Sequence, residues 1–179
     1  MKVRIIVPFA EGFEEIEAFT IVDILRRAGV EVDLVGLIGT MVTGAHGVRV
    51  TMDKKLAQVR AEDYNGIILP GGNPGYINLG RSGVLIDLIK RLNGQGKLVA
   101  AICGAPSILA KAGVLEGKRA TIYPGMEKEL PYPRADKVVV DGNVITSQGP
   151  GTSMDFALKI VETLVSADAA YSIKRSLLL

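Results

Sequence analysis

Short apolar segments alternate with segments of helical periodicity along the chain, and this alternation restricts the fold more than any other feature. The apolar segments are rich in β-branched residues and end at turn residues, which predicts buried strands. The predicted strands are KVRIIVPF (2–9), EVDLVGL (31–37), GVRVTMD (47–53), NGIILPGG (65–72), KLVAAIC (97–103), RATIYP (119–124) and the hairpin KVVVDGNVITS (137–147). Because parallel strands need long crossovers, usually helices, the alternation predicts an α/β fold with a mostly parallel sheet and helices on both faces.

The segments between the predicted strands have recognisable helix ends. The first helix is expected from about Glu14 to Ala28 and stops at Gly29; Ser82 is expected to cap the second, and Pro106 lies in the first turn of the third. The predicted helices after the first are SGVLIDLIKRL (82–92), PSILAKAG (106–113), TSMDFALKIVETL (152–164) and a short helix within residues 166–179, before an apolar tail.

The turns that follow the predicted strands are rich in glycine and polar residues. They are GFEE (12–15), PGGNPG (70–75), CGAP (103–106) and SQGPGTS (147–153). In an open parallel sheet, the carboxyl ends of the strands lie at one edge, where ligands bind. We therefore expect these turns to meet at one candidate site.

The composition limits the class of protein. A length of 179 residues suits one domain (1–179), and 48% hydrophobic residues with 21 glycines indicate a packed globular chain with many turns. The net charge of +2 comes from interspersed charges without a basic run, so nucleic acid is not an expected partner. The single cysteine excludes an internal disulfide, and one cysteine with one histidine does not make a four-ligand zinc site, so no metal is expected.

The amino-terminal segment gives no sign of export. Its apolar run is followed by Glu11, Glu14 and Glu15, which is unlike a signal peptide, and apolar runs are too short to cross a bilayer. We expect a cytoplasmic protein without membrane contact.

Cys103 lies where a predicted buried strand turns into a predicted helix. Small residues stand two places before and after it, at Ala101 and Ala105, as in the nucleophile elbow of hydrolases. A thiol facing a helix amino terminus is expected to have a lowered pKa. The pattern alone leaves a second interpretation open, in which Cys103 is a small apolar residue that fills the core.

Glu17 stands at the head of an apolar helix face. Helical spacing places it in line with Ile21, Ile24 and Ala28, which are expected to face the core. Burial disfavours an ionised carboxyl, so Glu17 would carry a proton and could donate a hydrogen bond. The alternative is an acid at the start of the helix that interacts favourably with the helix dipole.

Two glycine-rich turns could line a site. The segment 69–75 offers backbone N–H groups that could stabilise an oxyanion, but it lacks the spacing of nucleotide-binding loops. The segment 147–153 is either a second binding loop or a rigid lead into a helix.

Four segments, taken together and in order, resemble the DJ-1/ThiJ/PfpI superfamily. They are EGFEEIEAFTIVDILRRAGVEV, ILPGGNPG, AAICGAPSILA and ITSQGPGTSMDFALKIVE, and the likeness covers nearly the whole chain. The resemblance implies a flavodoxin-like three-layer sandwich, a homodimer, and an oxidisable nucleophile, Cys103, held against a protonated Glu17. It also implies an oxyanion site at the backbone of Gly72 and Gly104.

The chain departs from the family pattern at three positions. Close relatives have a histidine where this chain has Tyr123, and protease-like relatives have a histidine where it has Gly104. The sole histidine, His46, aligns near an arginine at the family's dimer contact, so we expect it to be structural or interfacial. A glutamine amidotransferase would need a histidine downstream of Cys103, but the sole histidine lies upstream. Without a Cys–His pair of the usual kind, peptidase activity is disfavoured.

The resemblance implies a cofactor-independent stress-response enzyme of the glyoxalase III or protein deglycase type. Its substrates would be α-oxoaldehydes or glycated proteins, with Cys103 as nucleophile, Glu17 as proton shuttle, and Tyr123 and Asn73 as candidate supporting residues. The alternative is a non-enzymatic redox sensor or chaperone in which Cys103 is oxidised to the sulfinate.

Overall fold

A computed structural model describes residues 2–179, and its strands are as follows. They are β1 (Arg4–Phe9), β2 (Glu31–Gly36), β3 (Met41–Thr43), β4 (Arg49–Thr51), β5 (Lys54–Lys55), β6 (Gly66–Leu69), β7 (Leu98–Ile102), β8 (Arg119–Ala120), β9 (Tyr132–Pro133), β10 (Val138–Asp141) and β11 (Val144–Ser147). The helices are α1 (Glu15–Arg27), α2 (Gly75–Gly80), α3 (Gly83–Gly94), α4 (Pro106–Lys111), α5 (Ser153–Leu164) and α6 (Ala167–Ser176). Within these residues, no helix is long and apolar enough to cross a membrane.

Seven strands form the central sheet in the order β10-β11-β7-β6-β1-β2-β5. Neighbouring strands are parallel, except that β10 and β11 form the antiparallel hairpin predicted from the sequence. The strands β1, β6 and β7 are adjacent at the centre, so the loops at their carboxyl ends lie side by side. This placement brings together the segments that follow Phe9, Leu69 and Ile102.

Helices cover both faces of the sheet, which confirms the predicted three-layer α/β architecture. Side chains alternate along each strand, so that Ile5 and Val7 of β1 pack with α1, α5 and α6, while Ile6 packs with α2, α3 and α4. Both packed layers are apolar and closed to solvent, and burial of this area is the main source of stability. The final residues, Leu178 and Leu179, are exposed.

The structure corrects the strand predicted at residues 119–124. Only Arg119–Ala120 is strand, and it pairs with Tyr132–Pro133 outside the central sheet. The backbone N–H of Thr121 donates to Thr146 Oγ1, and that of Tyr123 donates to the Cys103 carbonyl oxygen. The segment therefore binds a side chain of β11 and the backbone of Cys103 instead of extending a ladder.

Four elements were absent from the sequence prediction: β3, β5, α2 and β9, the partner of β8. Met41–Thr43 is the hairpin partner of Arg49–Thr51, and Lys54–Lys55 extends the sheet at its edge. Helix α2, GYINLG, is short and begins and ends with glycine, so its pattern does not predict a helix. As predicted, Ser82 caps α3 and Pro106 lies in the first turn of α4.

A polar cluster holds the β5 edge of the sheet. Asp33 Oδ2 accepts hydrogen bonds from the Tyr64 hydroxyl and from Arg4 Nη2 at 2.9 Å, and it lies 2.9 Å from Lys54 Nζ. Burial alone would raise the pKa of Asp33, but the Tyr64 and Lys54 hydrogen bonds and the charges of Lys54 and Arg4 hold it below its usual value. The ionised carboxylate therefore connects three strands and the loop before β6.

Asp33→Asn is expected to lower the free energy of unfolding by about 2 kcal/mol at pH 7, because it removes the charged acceptor of several hydrogen bonds. A pKa lowered by folding gives stability that is present above the unfolded value and lost as pH falls through the folded value. The difference between wild type and Asp33→Asn should therefore shrink between pH 7 and pH 3 in urea denaturation. Asp136→Asn, at an exposed position, is the matched control; equal effects of the two substitutions at pH 7 would contradict the prediction.

Candidate active site

Cys103 lies in a tight turn between β7 and α4, as the sequence predicts. Its φ is +64°, in the left-handed region that residues other than glycine rarely adopt. The backbone is fixed on both sides, because the Cys103 N–H donates to the Ser147 carbonyl oxygen at 3.1 Å and the Tyr123 N–H donates to the Cys103 carbonyl oxygen at 2.9 Å. The side chain of Cys103 in this strained turn is half-buried and packs against the apolar layer that contains α1.

Close packing explains why the residues around the thiol are small. A Cβ atom at Gly104 would lie 2.8 Å from the Tyr76 ring, and one at Gly71 would lie 2.5 Å from Cys103 Cβ. Ala101 and Ala105 are completely buried. A histidine at position 104, as in protease-like relatives, would have to displace the Tyr76 ring.

Glu17 lies in the first turn of α1 and is completely buried. Its Oε2 accepts a 2.7 Å hydrogen bond from the Gly71 N–H, while its Oε1 is buried without a hydrogen-bond partner among residues 2–179. Burial raises the pKa of Glu17 to about 7, although the Gly71 N–H and the nearby Cys103 side chain lower it. In a substantial fraction of the molecules the Glu17 carboxyl is therefore neutral at pH 7 and able to donate a hydrogen bond.

The other interpretation of Glu17 was an acid that stabilises the start of the helix. In the structure Glu14 has this role. Glu14 caps α1 by accepting a 3.1 Å hydrogen bond from the Ile16 N–H. Glu17 lies three residues after Glu14, still in the first turn of α1, and its side chain interacts with the Cys103 thiol instead.

The expectation of a lowered thiol pKa is wrong for the thiol beside an ionised Glu17. Burial raises the pKa of Cys103 to about 12, and the Glu17 charge adds to the rise. The N–H groups of Gly72 and Gly104 lower the pKa but are outweighed, and α4 is too short to contribute a strong dipole. Because like charges oppose each other, a thiolate is compatible with neutral Glu17 and disfavoured beside the carboxylate.

Two backbone donors flank the thiol, at the positions that the family resemblance implied. The N–H groups of Gly72 and Gly104 both interact with the Cys103 side chain. Gly72 has a φ of +99°, and a Cβ atom there would lie 2.3 Å from the Glu14 backbone nitrogen. Only glycine allows this close approach of the β6 loop to α1. These donors could also stabilise an oxyanion that forms next to the sulfur.

The three remaining candidates occupy different positions. Tyr123 lies beside Gly149 with its ring about half exposed, and its backbone binds Cys103. Asn73 is exposed in the loop after β6. His46 lies on the exposed β3–β4 loop with its Nδ1 atom 2.9 Å from Glu15 Oε2, so its contact is with the start of α1 rather than with the thiol. The expected homodimer contact at His46 stays a prediction.

Sequence reasoning missed some residues that shape the site. The sequence pattern did not indicate a role for Tyr76, since its helix α2 was not predicted. It indicated Gly71 only as part of a glycine-rich turn. The segment 147–153 acts as a lead into α5, because Thr152 Oγ1 accepts a 3.1 Å hydrogen bond from the Gly149 N–H. A cavity of about 510 Å³ lies at the ends of β1 and β2, but neither Cys103 nor Glu17 lines it.

Comparison with known proteins shows relatives over the full length of the fold. Protein dj-1beta of Drosophila melanogaster is 41% identical and covers 99% of this chain and 98% of its own. A Pyrococcus abyssi protein named a deglycase is 33% identical, covering 90% of this chain and 99% of its own. The structure of oxidized Toxoplasma gondii DJ-1 superposes with a TM-score of 0.95 at 38% identity and covers 98% of both chains.

These similarities confirm the flavodoxin-like fold and the resemblance that the four sequence segments indicated. The model of the DJ-1/PfpI family matches residues 3–163, which include the elbow, the buried glutamate and the glycine-rich loop. This chain belongs to the DJ-1/PfpI family.

Proposed function

We propose that this protein is a cofactor-independent enzyme that converts α-oxoaldehydes, free or as hemithioacetals on proteins, into 2-hydroxy acids. The observation that carries the proposal is the buried Glu17 carboxyl, with one oxygen bound to Gly71 and the other without a partner beside Cys103. A buried, partly neutral carboxyl next to a thiol suits both proton donation and proton abstraction. The deglycase name of the Pyrococcus abyssi relative supports the same class of substrate.

In the first step the Glu17 carboxylate takes the proton of the Cys103 thiol, and the resulting thiolate attacks the aldehyde carbon of methylglyoxal. The carbon–sulfur bond forms as the carbonyl π bond breaks, and the N–H groups of Gly72 and Gly104 would stabilise the oxyanion. Neutral Glu17 supplies the proton that converts the oxyanion into a hydroxyl group, and becomes a carboxylate. The product of this step is a covalent hemithioacetal.

The second step moves a proton between two carbon atoms. The Glu17 carboxylate removes the proton from the carbon attached to sulfur, which leaves an enediolate. A proton passes from the hydroxyl group on that carbon to the neighbouring oxyanion, and Glu17 returns its proton to the adjacent carbon, which gives a lactoyl thioester. Water hydrolyses the thioester to lactate and releases the thiol. The sum is methylglyoxal plus water to lactate, with no net oxidation, so the sequence of steps needs no external electron acceptor.

Substitution of either reacting group is expected to abolish turnover. Cys103→Ser removes the nucleophile and Glu17→Gln removes the proton shuttle, so each should lower kcat/KM for methylglyoxal by at least about 100-fold. The measurement is 2-hydroxy acid formation from methylglyoxal and glyoxal without added cofactor, with Glu116→Gln at an exposed site as the control. Full activity in Glu17→Gln would contradict the shuttle, and inactive wild-type protein would exclude these substrates.

Tyr123 is expected to support the reaction in place of the family histidine. Its ring is half exposed beside the elbow, where its hydroxyl could donate a hydrogen bond to the substrate. Tyr123→Phe should therefore lower kcat/KM about tenfold, the value of one hydrogen bond, while Tyr123→His should retain activity. Unchanged kinetics in Tyr123→Phe would remove Tyr123 from the site.

A second candidate function is redox sensing through oxidation of Cys103 to the sulfinate. The free Glu17 Oε1 favours it, because a neutral carboxyl could donate a short hydrogen bond to a sulfinate oxygen. The similarity to a relative whose structure is described as oxidized points the same way.

Mild peroxide is expected to add two oxygen atoms to Cys103 before it oxidises the five methionines. Intact-mass and peptide mass spectrometry of wild type and Cys103→Ser separates the two sites of oxidation. Glu17→Gln should accumulate less sulfinate at equal peroxide dose, since it lacks the carboxyl proton. Methionine oxidation that precedes any change at Cys103 would count against the sensor.

A further inference from the structure

Two hydroxyl groups are in contact at the carboxyl end of β11, close to the turn that carries Cys103. Ser147 is the last residue of β11 and is completely buried, while Thr152 lies directly before α5. The Ser147 Oγ and Thr152 Oγ1 atoms are 2.7 Å apart, which is a hydrogen-bond distance. The proposed reaction uses neither hydroxyl group.

Ser147 also contacts the backbone of Cys103. Its carbonyl oxygen accepts the Cys103 N–H at 3.1 Å, just past the end of β7 at Ile102. Because Ser147 pairs with Ile102, this is the last hydrogen bond of the parallel ladder between β7 and β11. The direction of the Ser147 carbonyl group therefore determines where the strained turn begins.

The side chain of Ser147 is held from two sides. Its Oγ donates a 2.6 Å hydrogen bond to the carbonyl oxygen of Lys137, directly before β10. A serine hydroxyl has one hydrogen atom, so Thr152 is the donor of the contact with Ser147; its alternative acceptor, the Gly149 carbonyl oxygen, is more distant at 3.0 Å. Ser147 is thus fixed between β10 and the start of α5, and its carbonyl group is fixed with it.

Thr152 also holds the loop that leads from Ser147 to α5. Its Oγ1 accepts the Gly149 N–H at 3.1 Å, and its N–H donates to the Gly149 carbonyl oxygen at 3.0 Å. Gly149 is buried, so its N–H depends on this acceptor. A lead into α5 needs only these hydrogen bonds within the loop. The additional contact with Ser147 connects the loop to the turn at Cys103.

Gly149 in turn packs against Tyr123, whose backbone is the second partner of Cys103. A Cβ atom at Gly149 would lie 3.4 Å from Cδ2 and 3.6 Å from Cε2 of the Tyr123 ring. The Tyr123 N–H donates to the Cys103 carbonyl oxygen at 2.9 Å. Both backbone groups of Cys103 are therefore connected to the contact between Ser147 and Thr152. The N–H is connected directly through Ser147, and the carbonyl group through Gly149 and Tyr123.

We propose that Ser147 and Thr152 are positioning residues whose hydroxyl contact holds Cys103 in its left-handed conformation, with the thiol beside Glu17. A residue with a Cβ atom keeps a φ of +64° only where its surroundings fix it from several sides. Without the contact the turn would relax, and the thiol would move relative to Glu17. Slower turnover as a result depends on the proposed function, but the conformation of Cys103 does not.

The test is amide NMR with ¹⁵N-labelled cysteine, which gives one backbone signal because Cys103 is the only cysteine. The Cys103 N–H is the donor to Ser147, so its chemical shift and its hydrogen-exchange rate both report on the turn. Thr152→Val removes the hydroxyl group and nearly keeps the shape of the side chain. We expect it to shift the signal and to accelerate exchange by at least about tenfold, because the hydrogen bond opens locally.

Three comparisons separate positioning from a general loss of stability. Thr152→Ser keeps the hydroxyl group and should retain the wild-type signal and exchange rate. Thr163→Val is the matched control, since it removes an exposed threonine hydroxyl elsewhere in α5. Urea denaturation of each variant gives its free energy of unfolding, and exchange in Thr152→Val should accelerate more than the change in that free energy accounts for.

Turnover of methylglyoxal should respond in the same way. Thr152→Val is expected to lower kcat about tenfold with KM nearly unchanged, because displacement of the nucleophile weakens transition-state stabilisation more than substrate binding. Thr152→Ser should restore kcat. Ser147→Ala also removes the contact and keeps the carbonyl acceptor of the Cys103 N–H, so it gives the same readouts if Thr152→Val does not fold.

The positioning role would be disproved by an unchanged Cys103 signal and exchange rate in both Thr152→Val and Ser147→Ala. It would equally be disproved if Thr152→Ser lost as much kcat as Thr152→Val, or if lower stability accounted for all of the faster exchange. Wild-type protein without methylglyoxal turnover would contradict the proposed function alone, since the NMR measurement needs no substrate.

Discussion

The site depends on a single buried hydrogen bond, from the Gly71 N–H to Glu17 Oε2. A buried carboxyl without a partner would cost several kcal/mol, so this donor makes the position of Glu17 tolerable in the core. The Gly71 carbonyl oxygen in turn accepts from the Glu14 N–H, which ties the β6 loop to the start of α1 twice. Gly71 also lies directly beside Cys103. Because Gly71 has no side chain, the Glu17 carboxyl and the Cys103 thiol can lie close to each other.

The same pair of side chains could support either chemistry considered for this protein, since both require neutral Glu17. In aldehyde conversion the proton moves to the substrate, whereas in oxidation it would remain on Glu17 and bind the sulfinate. The choice between the two depends on whether an aldehyde or a peroxide reaches the half-buried Cys103 side chain first. In both reactions, neutral Glu17 would stabilise negative charge on or near the Cys103 sulfur.

Much of this arrangement could be predicted from local patterns. The order of strands and helices, the elbow at Cys103 and the burial of Glu17 follow from periodicity and from small residues at fixed spacing. The thiol pKa could not be predicted, because it depends on burial and on a charge 86 positions earlier in the sequence, at Glu17. Likewise, nothing local signals that the strand stops at Ala120 and that residues 121–123 bind Thr146 of β11 and the backbone of Cys103.

The backbone conformation of Cys103 has a consequence for how this position should be understood. A residue with a Cβ atom in the left-handed region costs about 1–2 kcal/mol that glycine would not. The neighbouring backbone hydrogen bonds to Ser147 and Tyr123 would be available to glycine as well. Glycine at position 103 would relieve this backbone strain. Selection for thermal stability alone would therefore favour Cys103→Gly, which removes the only thiol in the molecule.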